Sequence, residues 1–373
     1  MKKLIIFSAV PFFNTWPKKW KLDKFKNFGY QVVLWSIEDI FFNSKNIQKA
    51  SMGNEKYKYT DLKTIKIKTF IQLENMVSKL NKDDLICITN RGPLNKLNFK
   101  NPDIDIFNKY KIKYICIHLT PYQTFNSFWL KFKYFLRYLR LRVLNYKVKP
   151  SIVIGCGSEG RRQVSTIYNN NFIYKSVPFY DLLWVKQKSI IKKKYIIYVD
   201  EPAYHSPDAR LFGTANPVKD IKRYYIRLNK VFKKIEEWEK IKIFIATSGK
   251  YKYKKNPFNN RKIFYYKTPN LIQHSKFVIG HKSMALHQAI INYKRIILLK
   301  DKDFSKLKNN HIDNLARLYG INAMLTDNFT KKKFKNNMDI DFLNYKKFIY
   351  QYLREKYLKG NFIKNFVSAL DQI

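Results

Sequence analysis

The sequence predicts an α/β protein in which helices cover parallel β-sheets. Short apolar runs of strand type recur along the chain, and the residues between several of them have helical spacing. Polar or glycine-bearing turns follow many of these runs. Strands that alternate with helices form βαβ units, whose parallel strands are buried on both faces. At 373 residues the chain is long for one domain and sufficient for two.

The first half of the chain contains a series of predicted strands separated by helical segments. Helical spacing covers residues 20–28, where Gly29 ends the helix, and residues 70–80. We assign residues 1–185 to a first domain on this pattern. Its predicted strands lie at residues 4–10, 32–37, 85–89, 114–118 and 152–154.

The alternation of strands and helices is strongest in residues 195–299. We assign residues 186–335 to a second domain, and residues 336–373 to terminal helices that are expected to pack back toward the first domain. The predicted strands of the second domain lie at residues 196–199, 241–246, 263–266, 277–279 and 296–299. Its predicted helices lie at residues 219–240, 271–275 and 284–291.

The chain is strongly basic, with a formal net charge of +46. Such a charge permits binding to nucleic acid, to anionic membrane or to polyanionic substrates. The basic residues are spread along the whole chain, and in residues 122–149 they interleave with aromatic residues on opposite sides of a predicted helix. Peripheral contact with anionic membrane and an ordinary domain helix remain alternatives there. No apolar run is long enough to predict a membrane span.

The three cysteines predict a reducing compartment. Cys87, Cys116 and Cys156 lie far apart in apolar runs, without the spacing of a metal site. The apolar residues near the start are too few and lack a cleavage site, so we interpret them as a buried strand instead of a signal peptide. A cytoplasmic protein is the expected result, at most peripheral at the inner face of the cell membrane.

An acidic loop follows the predicted strand at residues 196–199. It carries Asp200, Glu201, His205 and Asp208 within nine positions. A carboxylate or imidazole in such a loop can remove a proton from a hydroxyl group or stabilise a developing positive charge. The alternative is that Asp200 or Asp208 caps the following segment. We favour the catalytic interpretation because ligands of parallel sheets bind at the carboxyl ends of the strands.

Two further loops are candidate phosphate-binding sites. His281, Lys282 and Ser283 precede a predicted helix, and Ser283 as its N-cap would place the helix N-terminus beside an anion. A purely structural cap is the alternative for Ser283. The second loop follows the strand at residues 241–246 and consists of Thr247, Ser248, Gly249 and Lys250. A plain turn and a phosphate-binding loop are the two alternatives for it. No metal site and no cofactor is predicted, and Asp301-Lys302-Asp303 is interpreted as a solvated turn.

Residues 195–299 resemble bacterial surface-polysaccharide biosynthesis proteins with a GT-B-like fold. The resemblance rests on the ordered pieces YVDEPAYHSPD, YYIRLNKVFKKIEEWE, IKIFIATS and RKIFYYKTPNLIQHSKFVIGHKSMALHQAIINYKRIILL. The last piece is similar to the donor-phosphate site of sialyltransferase-like and Kdo-transferase-like enzymes. The resemblance implies two Rossmann-like domains facing across a cleft, with C-terminal helices. The first domain would bind the acceptor and the second the nucleotide sugar.

The resemblance also implies roles for individual residues. Asp200, Glu201, His205 and Asp208 would form the acidic catalytic motif, while His281 and Ser283 would belong to the phosphate loop. Such families commonly carry a His-Pro pair linked to nucleotide binding, where this chain has Thr247-Ser248.

The implied activity is metal-independent transfer of a sugar from a nucleotide-sugar donor to a growing glycan. The acceptor would be a cell-surface polysaccharide, such as capsule or lipopolysaccharide, or a lipid-linked glycan. Three alternatives remain open. They are a nucleotide-sugar epimerase on the same fold, a non-catalytic relative, and a basic nucleic-acid-binding protein. The last is not expected, because the aromatic residues lie mostly in strand and helix core patterns and no nucleic-acid-binding signature is present.

Overall fold

The chain divides into two compact units. The first unit comprises Met1–Ser44, Tyr57–Leu182 and Tyr350–Ile373, and the second comprises Lys45–Lys56 and Leu183–Ile349. Each unit contains one sheet. The computed structural model describes residues 1–9, 21–42, 62–90, 102–118, 150–158, 172–175, 188–202, 218–247, 252–337, 339–354 and 362–371.

The first unit contains a seven-stranded sheet in which all paired strands are parallel. Its strands are β1 Lys2–Ser8, β2 Tyr30–Ser36, β3 Thr64–Lys66, β4 Leu85–Asn90, β5 Tyr114–His118, β6 Ile152–Cys156 and β7 Phe172–Lys175. They lie in the order β3-β2-β1-β4-β5-β6-β7. The accompanying helices are a 3-10 helix Leu22–Phe28, α1 Glu38–Phe41, α2 Phe70–Val77 and α3 Pro102–Lys109.

Strand β1 shows why the strands of this sheet are apolar along their whole length. Leu4 and Ile6 belong to one buried apolar cluster, whereas Ile5 and Phe7 belong to another. Successive side chains of a strand point to opposite faces of the sheet, so the two clusters cover its two faces. Apolar residues are therefore needed at every position, as in other parallel sheets. The predicted α/β class with parallel sheets is confirmed.

The second unit contains a six-stranded parallel sheet. Its strands are β8 Ile196–Val199, β9 Ile243–Thr247, β10 Ile263–Tyr265, β11 Phe277–Gly280, β12 Arg295–Lys300 and β13 Met324–Leu325. They lie in the order β10-β9-β8-β11-β12-β13. Its helices are α4 Ile221–Glu239, α5 Thr268–His274, α6 Leu286–Ile291, α7 Lys306–Tyr319, α8 Lys331–Asn336 and α9 Phe342–Phe348.

Helix α4 matches the long helix predicted from the apolar spacing. It begins after Asp220, whose side chain accepts a hydrogen bond from the backbone N–H of Arg223. It ends at Lys240, which adopts the left-handed conformation. Leu228, Phe232 and the other apolar residues on its inner face are fully buried. The helix is therefore delimited by local caps and held by burial of one face.

The C-terminal segment contributes to both units. Helix α9 packs on the second unit, where Phe348 lies 5.1 Å from the ring of Tyr319. A π-helical turn, Ile349–Leu353, follows, and the last helix is α10 Phe362–Leu370. In α10, Phe366 packs edge-on against Phe25 of the first unit at 5.4 Å. The division between the units thus falls at Ile349, whereas the sequence-based division grouped α9 with the terminal helices.

Gly157 supports a close backbone contact inside the first unit. Its φ is +67°, and an added Cβ would lie 2.1 Å from the carbonyl oxygen of Gln351. We expect Gly157→Ala to destabilise the protein by about 2–4 kcal/mol, since left-handed strain and a backbone clash add together. Gly29→Ala is the matched control, because Gly29 has φ +80° with no atom within 4 Å of the added Cβ. Urea denaturation measures the free energy of unfolding of each variant. Equal losses of this free energy in Gly157→Ala and Gly29→Ala would contradict the predicted clash.

Two of the predicted buried thiols are confirmed. Cys87 and Cys116 are buried thiols of the first unit that form no disulfide among the described residues, and burial raises the pKa of Cys87 well above its ordinary value. The side chain of Cys156 lies outside the described residues. In the described part of the chain, no helix has both the length and the apolar character needed to cross a bilayer.

Candidate functional site

The candidate site lies at the carboxyl ends of β8 and β11. These strands are neighbours in the sheet, although β9 and β10 separate them in sequence. Because the strand order runs to β9 on one side and to β12 on the other, it reverses between β8 and β11. Open parallel sheets bind their ligands outside the carboxyl ends of the strands at such a switch point. Asp200 directly follows β8, and His281 directly follows β11.

The structure brings part of the predicted site together at this edge. The residues that it describes are Asp200 and Glu201 after β8, Thr247 at the end of β9, and His281, Lys282 and Ser283 after β11. Outside the described residues lie His205, Asp208, Ser248, Gly249 and Lys250, and also residues 122–149. The roles of those side chains and the membrane contact of residues 122–149 stay predictions.

Asp200 is a buried carboxyl group held by a tyrosine. The hydroxyl of Tyr253 donates to its Oδ2 at 2.6 Å, and the hydroxyl of Tyr225 lies 3.3 Å from that of Tyr253. Burial, with a smaller contribution from Glu201, raises the pKa of Asp200 to about 7, although the hydrogen bond from Tyr253 and the charge of Lys308 act to lower it. The carboxyl group therefore exchanges a proton near neutral pH, although it is largely hidden from solvent.

Glu201 is the more accessible carboxylate of the site. Its side chain is 36% exposed, and its Oε2 lies 3.6 Å from Nζ of Lys308. Lys308 is the third residue of α7, and its side chain is only 7% exposed. The ammonium group also lies 4.2 Å from the ring centroid of Phe304, a favourable cation–π contact. Glu201 thus lies between solvent and a buried positive charge.

Lys282 and His311 form a second polar pair at the same edge. Nζ of Lys282 donates to Nδ1 of His311, which must therefore be the acceptor. Burial, with a smaller contribution from the charge of Lys282, lowers the pKa of His311 to about 4, so the imidazole is neutral at pH 7. Burial lowers the pKa of Lys282, while Glu201 raises it and Lys308 lowers it. Two lysine side chains and an accessible carboxylate consequently act on one another here.

His281 belongs to a buried hydrogen-bond chain. Its Nδ1 donates to the carbonyl oxygen of Leu299 at 2.6 Å, since a carbonyl can only accept. Its Nε2 therefore accepts from the hydroxyl of Tyr224 at 2.8 Å, and Tyr224 in turn accepts from Tyr198 at 3.0 Å. Burial, with a smaller contribution from the charge of Lys308, lowers the pKa of His281 to about 3. Neither ring nitrogen is left for a ligand, so a contact of this imidazole with a phosphate in the predicted phosphate loop does not fit the geometry.

Ser283 is not the N-cap that the sequence predicts. Helix α6 begins at Leu286, and its N-cap is Ala285. The hydroxyl of Ser283 accepts from the backbone N–H of Ala285 at 3.3 Å, and its carbonyl oxygen accepts from that of Leu286 at 3.0 Å. One extra turn therefore separates the loop from the helix. Ser283 stabilises this turn, and α6 is too short to supply a strong helix dipole.

Thr247 lies beside Asp200 at the end of β9. The pairing of Val199 with Ala246 places the two residues opposite one another, and the backbone N–H of Asp200 donates to the carbonyl oxygen of Ala246 at 2.8 Å. Thr247 is completely buried. Its position therefore helps to pack the end of β8.

In the acidic turn after β12, Lys302 is exposed, but Asp301 is buried and the side chain of Asp303 is only 15% exposed, so the interpretation as a solvated turn is wrong for both carboxylates. Asp301 has no exposed surface and accepts from Nε of Arg227 at 3.0 Å and from Nη2 of the same guanidinium. Nη2 also donates to Asp303, and the hydroxyl of Thr326 donates to Asp301. The reason is Arg227 on α4, which lies 74 positions away in sequence and neutralises the turn. The network fastens α4 to the end of β12.

Sequence reasoning missed Lys308, Tyr253 and Arg227. Lys308 and Arg227 are two among 73 lysine and arginine residues, and the first turns of α7, which contain Lys308, were not predicted. The hydrophobic spacing of residues 306–319 is the sequence pattern that could have predicted α7. Within the residues that the structure describes, no group of three or more His, Cys, Asp or Glu side chains could hold a metal ion.

Comparison with known proteins identifies the fold. No protein-family profile and no curated protein sequence matches the chain. The structure of MurG from Acinetobacter baumannii is similar with a TM-score of 0.52, at 8% identity over 100% of each chain. CalG4, the calicheamicin glycosyltransferase, is similar with a TM-score of 0.50, at 6% identity over 93% of each chain. A UDP-GlcNAc 2-epimerase from Neisseria meningitidis has a TM-score of 0.49, at 13% identity over 100% of each chain.

At these identities, the similarity to MurG and to CalG4 concerns the fold alone. The chain has the GT-B-like fold, with two Rossmann-like units that each contain one parallel sheet. The fold class predicted from the sequence is therefore confirmed.

Proposed function

We propose that this protein is a glycosyltransferase that uses a nucleotide-sugar donor. One observation carries the proposal. At the switch point of the second sheet, the accessible carboxylate of Glu201 lies beside the buried ammonium group of Lys308, and the charge of Lys282 acts on both. A nucleotide sugar needs positive groups for its phosphates, and sugar transfer needs a base for the acceptor hydroxyl. Both kinds of group are present at one strand edge.

The reaction then follows from ordinary group-transfer chemistry. An acceptor hydroxyl oxygen forms a bond to the anomeric carbon of the donor, while the bond from that carbon to the phosphate oxygen breaks. The phosphate oxygen leaves with the bonding electrons, and the hydroxyl proton goes to the carboxylate of Glu201. Lys282 and Lys308 stabilise the negative charge of the leaving nucleotide. His205 and Asp208 are further candidates for the base, and Ser248, Gly249 and Lys250 for contacts with the nucleotide.

The remaining parts of the proposal concern the two units and the acceptor. The first unit binds the acceptor and the second binds the donor, by the sequence resemblance. The acceptor is a growing cell-surface polysaccharide or a lipid-linked glycan. The net charge of +46 favours binding of the protein to the inner face of the cell membrane, where anionic lipids attract basic proteins.

Binding of nucleotides tests the donor class directly. We expect the purified protein to bind at least one of UDP, TDP, GDP and CMP, because two lysines act at the proposed donor site. Isothermal titration of the full chain with each nucleotide gives the affinity, and adenosine serves as an uncharged control. If none of the nucleotides binds more tightly than adenosine, the proposal is abandoned.

Product analysis with the bound donor then separates the rival functions. Transfer of the sugar to a glycan acceptor supports the proposal. Conversion of the donor into its epimer without any acceptor indicates an epimerase instead. Salt-sensitive binding of single-stranded nucleic acid without nucleotide binding indicates the nucleic-acid alternative.

A further inference from the structure

The ion pair between the partly exposed Glu201 and the buried Lys308 is longer than a charge-assisted hydrogen bond. Charge-assisted hydrogen bonds between nitrogen and oxygen measure about 2.7–2.9 Å, whereas Nζ of Lys308 lies 3.6 Å from Oε2 of Glu201. Among the described residues, Oε2 of Glu201 has no hydrogen-bond partner although the atom is buried. The ammonium group of Lys308 likewise makes contact with only Glu201 and the ring of Phe304 there. Both ends of the pair therefore retain unused hydrogen-bonding capacity inside the protein.

The surroundings of this pair carry an excess of positive charge. Lys282 acts electrostatically on both Glu201 and Lys308, and its own partner His311 is neutral at pH 7. Asp200 is the other carboxyl group that interacts electrostatically with the pair; it is buried, and its pKa is raised to about 7. Two ammonium groups, those of Lys308 and Lys282, thus act on the carboxylate of Glu201. Lys308 also lies in the first turn of α7, where the helix dipole adds positive potential.

We infer that Lys308 and Lys282 form an anion subsite for the donor phosphate, and that Glu201 is the internal counter-ion that the phosphate displaces from Lys308. The chemical identity of the anion rests on the proposed function. A phosphate oxygen supplies the close acceptor that Lys308 lacks. The displaced carboxylate is then free to accept the proton of the acceptor hydroxyl. Donor binding and the availability of the base are coupled in this way.

A simple structural ion pair predicts different behaviour. In that case, the removal of Glu201 leaves a buried lysine charge unpaired and changes stability without raising the affinity for anions. A counter-ion that competes with the ligand has the opposite effect on binding. Its removal leaves the two lysines fully available, so the affinity for an anion rises. The sign of the change in affinity on Glu201→Gln therefore separates the two interpretations.

The test is titration of four proteins with inorganic pyrophosphate and with the nucleotide that the wild-type protein binds most tightly. We expect Lys308→Met to weaken binding of both ligands about tenfold or more, the usual effect of losing a hydrogen bond to a charged group. We expect Glu201→Gln to strengthen pyrophosphate binding about threefold or more. Lys306→Met is the matched control, because Lys306 lies in the same first turn of α7 but is exposed. Its affinity is expected to stay within about twofold of wild type.

The outcomes are distinct for the inference and for the proposed function. The inference is overturned if Glu201→Gln binds pyrophosphate no more tightly than wild type, or if Lys308→Met binds like Lys306→Met. Absence of pyrophosphate binding by the folded wild-type protein also overturns it. If Lys308→Met does not fold, Glu201→Gln and Lys308→Arg, which keeps the charge, decide the question. If Lys308→Met still binds nucleotide and transfers sugar as the wild-type protein does, the subsite fails while the glycosyltransferase function stands.

Discussion

Replacement of Glu201 by glutamine is expected to lower turnover about a hundredfold or more while nucleotide binding persists. The amide has nearly the same shape but cannot accept a proton, so the variant loses general base catalysis. Among the described residues of the acidic loop, Glu201 is the accessible carboxylate, whereas Asp200 is buried. Turnover measured separately from nucleotide affinity distinguishes a loss of chemistry from a loss of binding. A loss in affinity alone would assign Glu201 to donor binding.

Two comparisons sharpen this experiment. Glu237→Gln is the matched control, because Glu237 is an exposed carboxylate on α4 whose nearest ion-pair partner is 3.9 Å away. Asp200→Asn mimics the protonated carboxyl group and keeps an acceptor for Tyr253, so it is expected to lose less turnover than Glu201→Gln. If Glu201→Gln keeps near-normal turnover, the base lies elsewhere, and His205 and Asp208 become the residues to replace next.

Replacement of Arg227 by methionine is expected to destabilise the second unit by about 3 kcal/mol or more. Methionine fills a similar volume but leaves Asp301 and Asp303 without their cation. Removal of one partner of a buried ion pair leaves an uncompensated charge, which is far more costly than loss of an exposed pair. Urea denaturation followed by tryptophan fluorescence measures the change, since Trp238 lies on α4 and stacks on Phe329 at 5.8 Å.

Arg223→Met is the matched control for this variant. Arg223 lies one turn earlier on α4, is 73% exposed and pairs only with Asp220 at 3.2 Å among the described residues. The loss of such a solvent-exposed pair has little effect on stability. Equal denaturation midpoints for Arg227→Met and Arg223→Met would show that the network around Asp301 adds nothing to the fold.

The central strands of both sheets could be predicted because they are buried on both faces. The apolar runs at residues 114–118 and 196–199 coincide with β5 and β8. The strands that the pattern missed are β3, β7 and β13, each of which lies at the edge of its sheet and has four residues or fewer. Edge strands have a neighbour on one side only and need fewer apolar residues, so their signal in the sequence is weaker.

The candidate site was only partly predictable, because the accessibility of its side chains depends on residues that are distant in sequence. The position of Asp200 and Glu201 after a strand follows from the local pattern, because the carboxyl ends of parallel strands form the ligand-binding edge. The local pattern does not tell which side chain is accessible. Burial of Asp200 depends on Tyr253, which is 53 positions away, and burial of His281 depends on hydrogen bonds to Tyr224 and Leu299. These contacts exist only after the strands have assembled.

By itself, the sequence determined the α/β class, the long helix α4 and the strand ends at which polar residues collect. Those features depend on apolar periodicity and turn chemistry over a few residues, which are visible in any short window of the chain. Only the tertiary structure decided that Glu201 faces Lys308, that His281 is buried, and that Arg227 neutralises Asp301. Such pairings join residues that are distant in sequence, and the energetic cost of burying a charge selects among many chemically identical lysines and arginines.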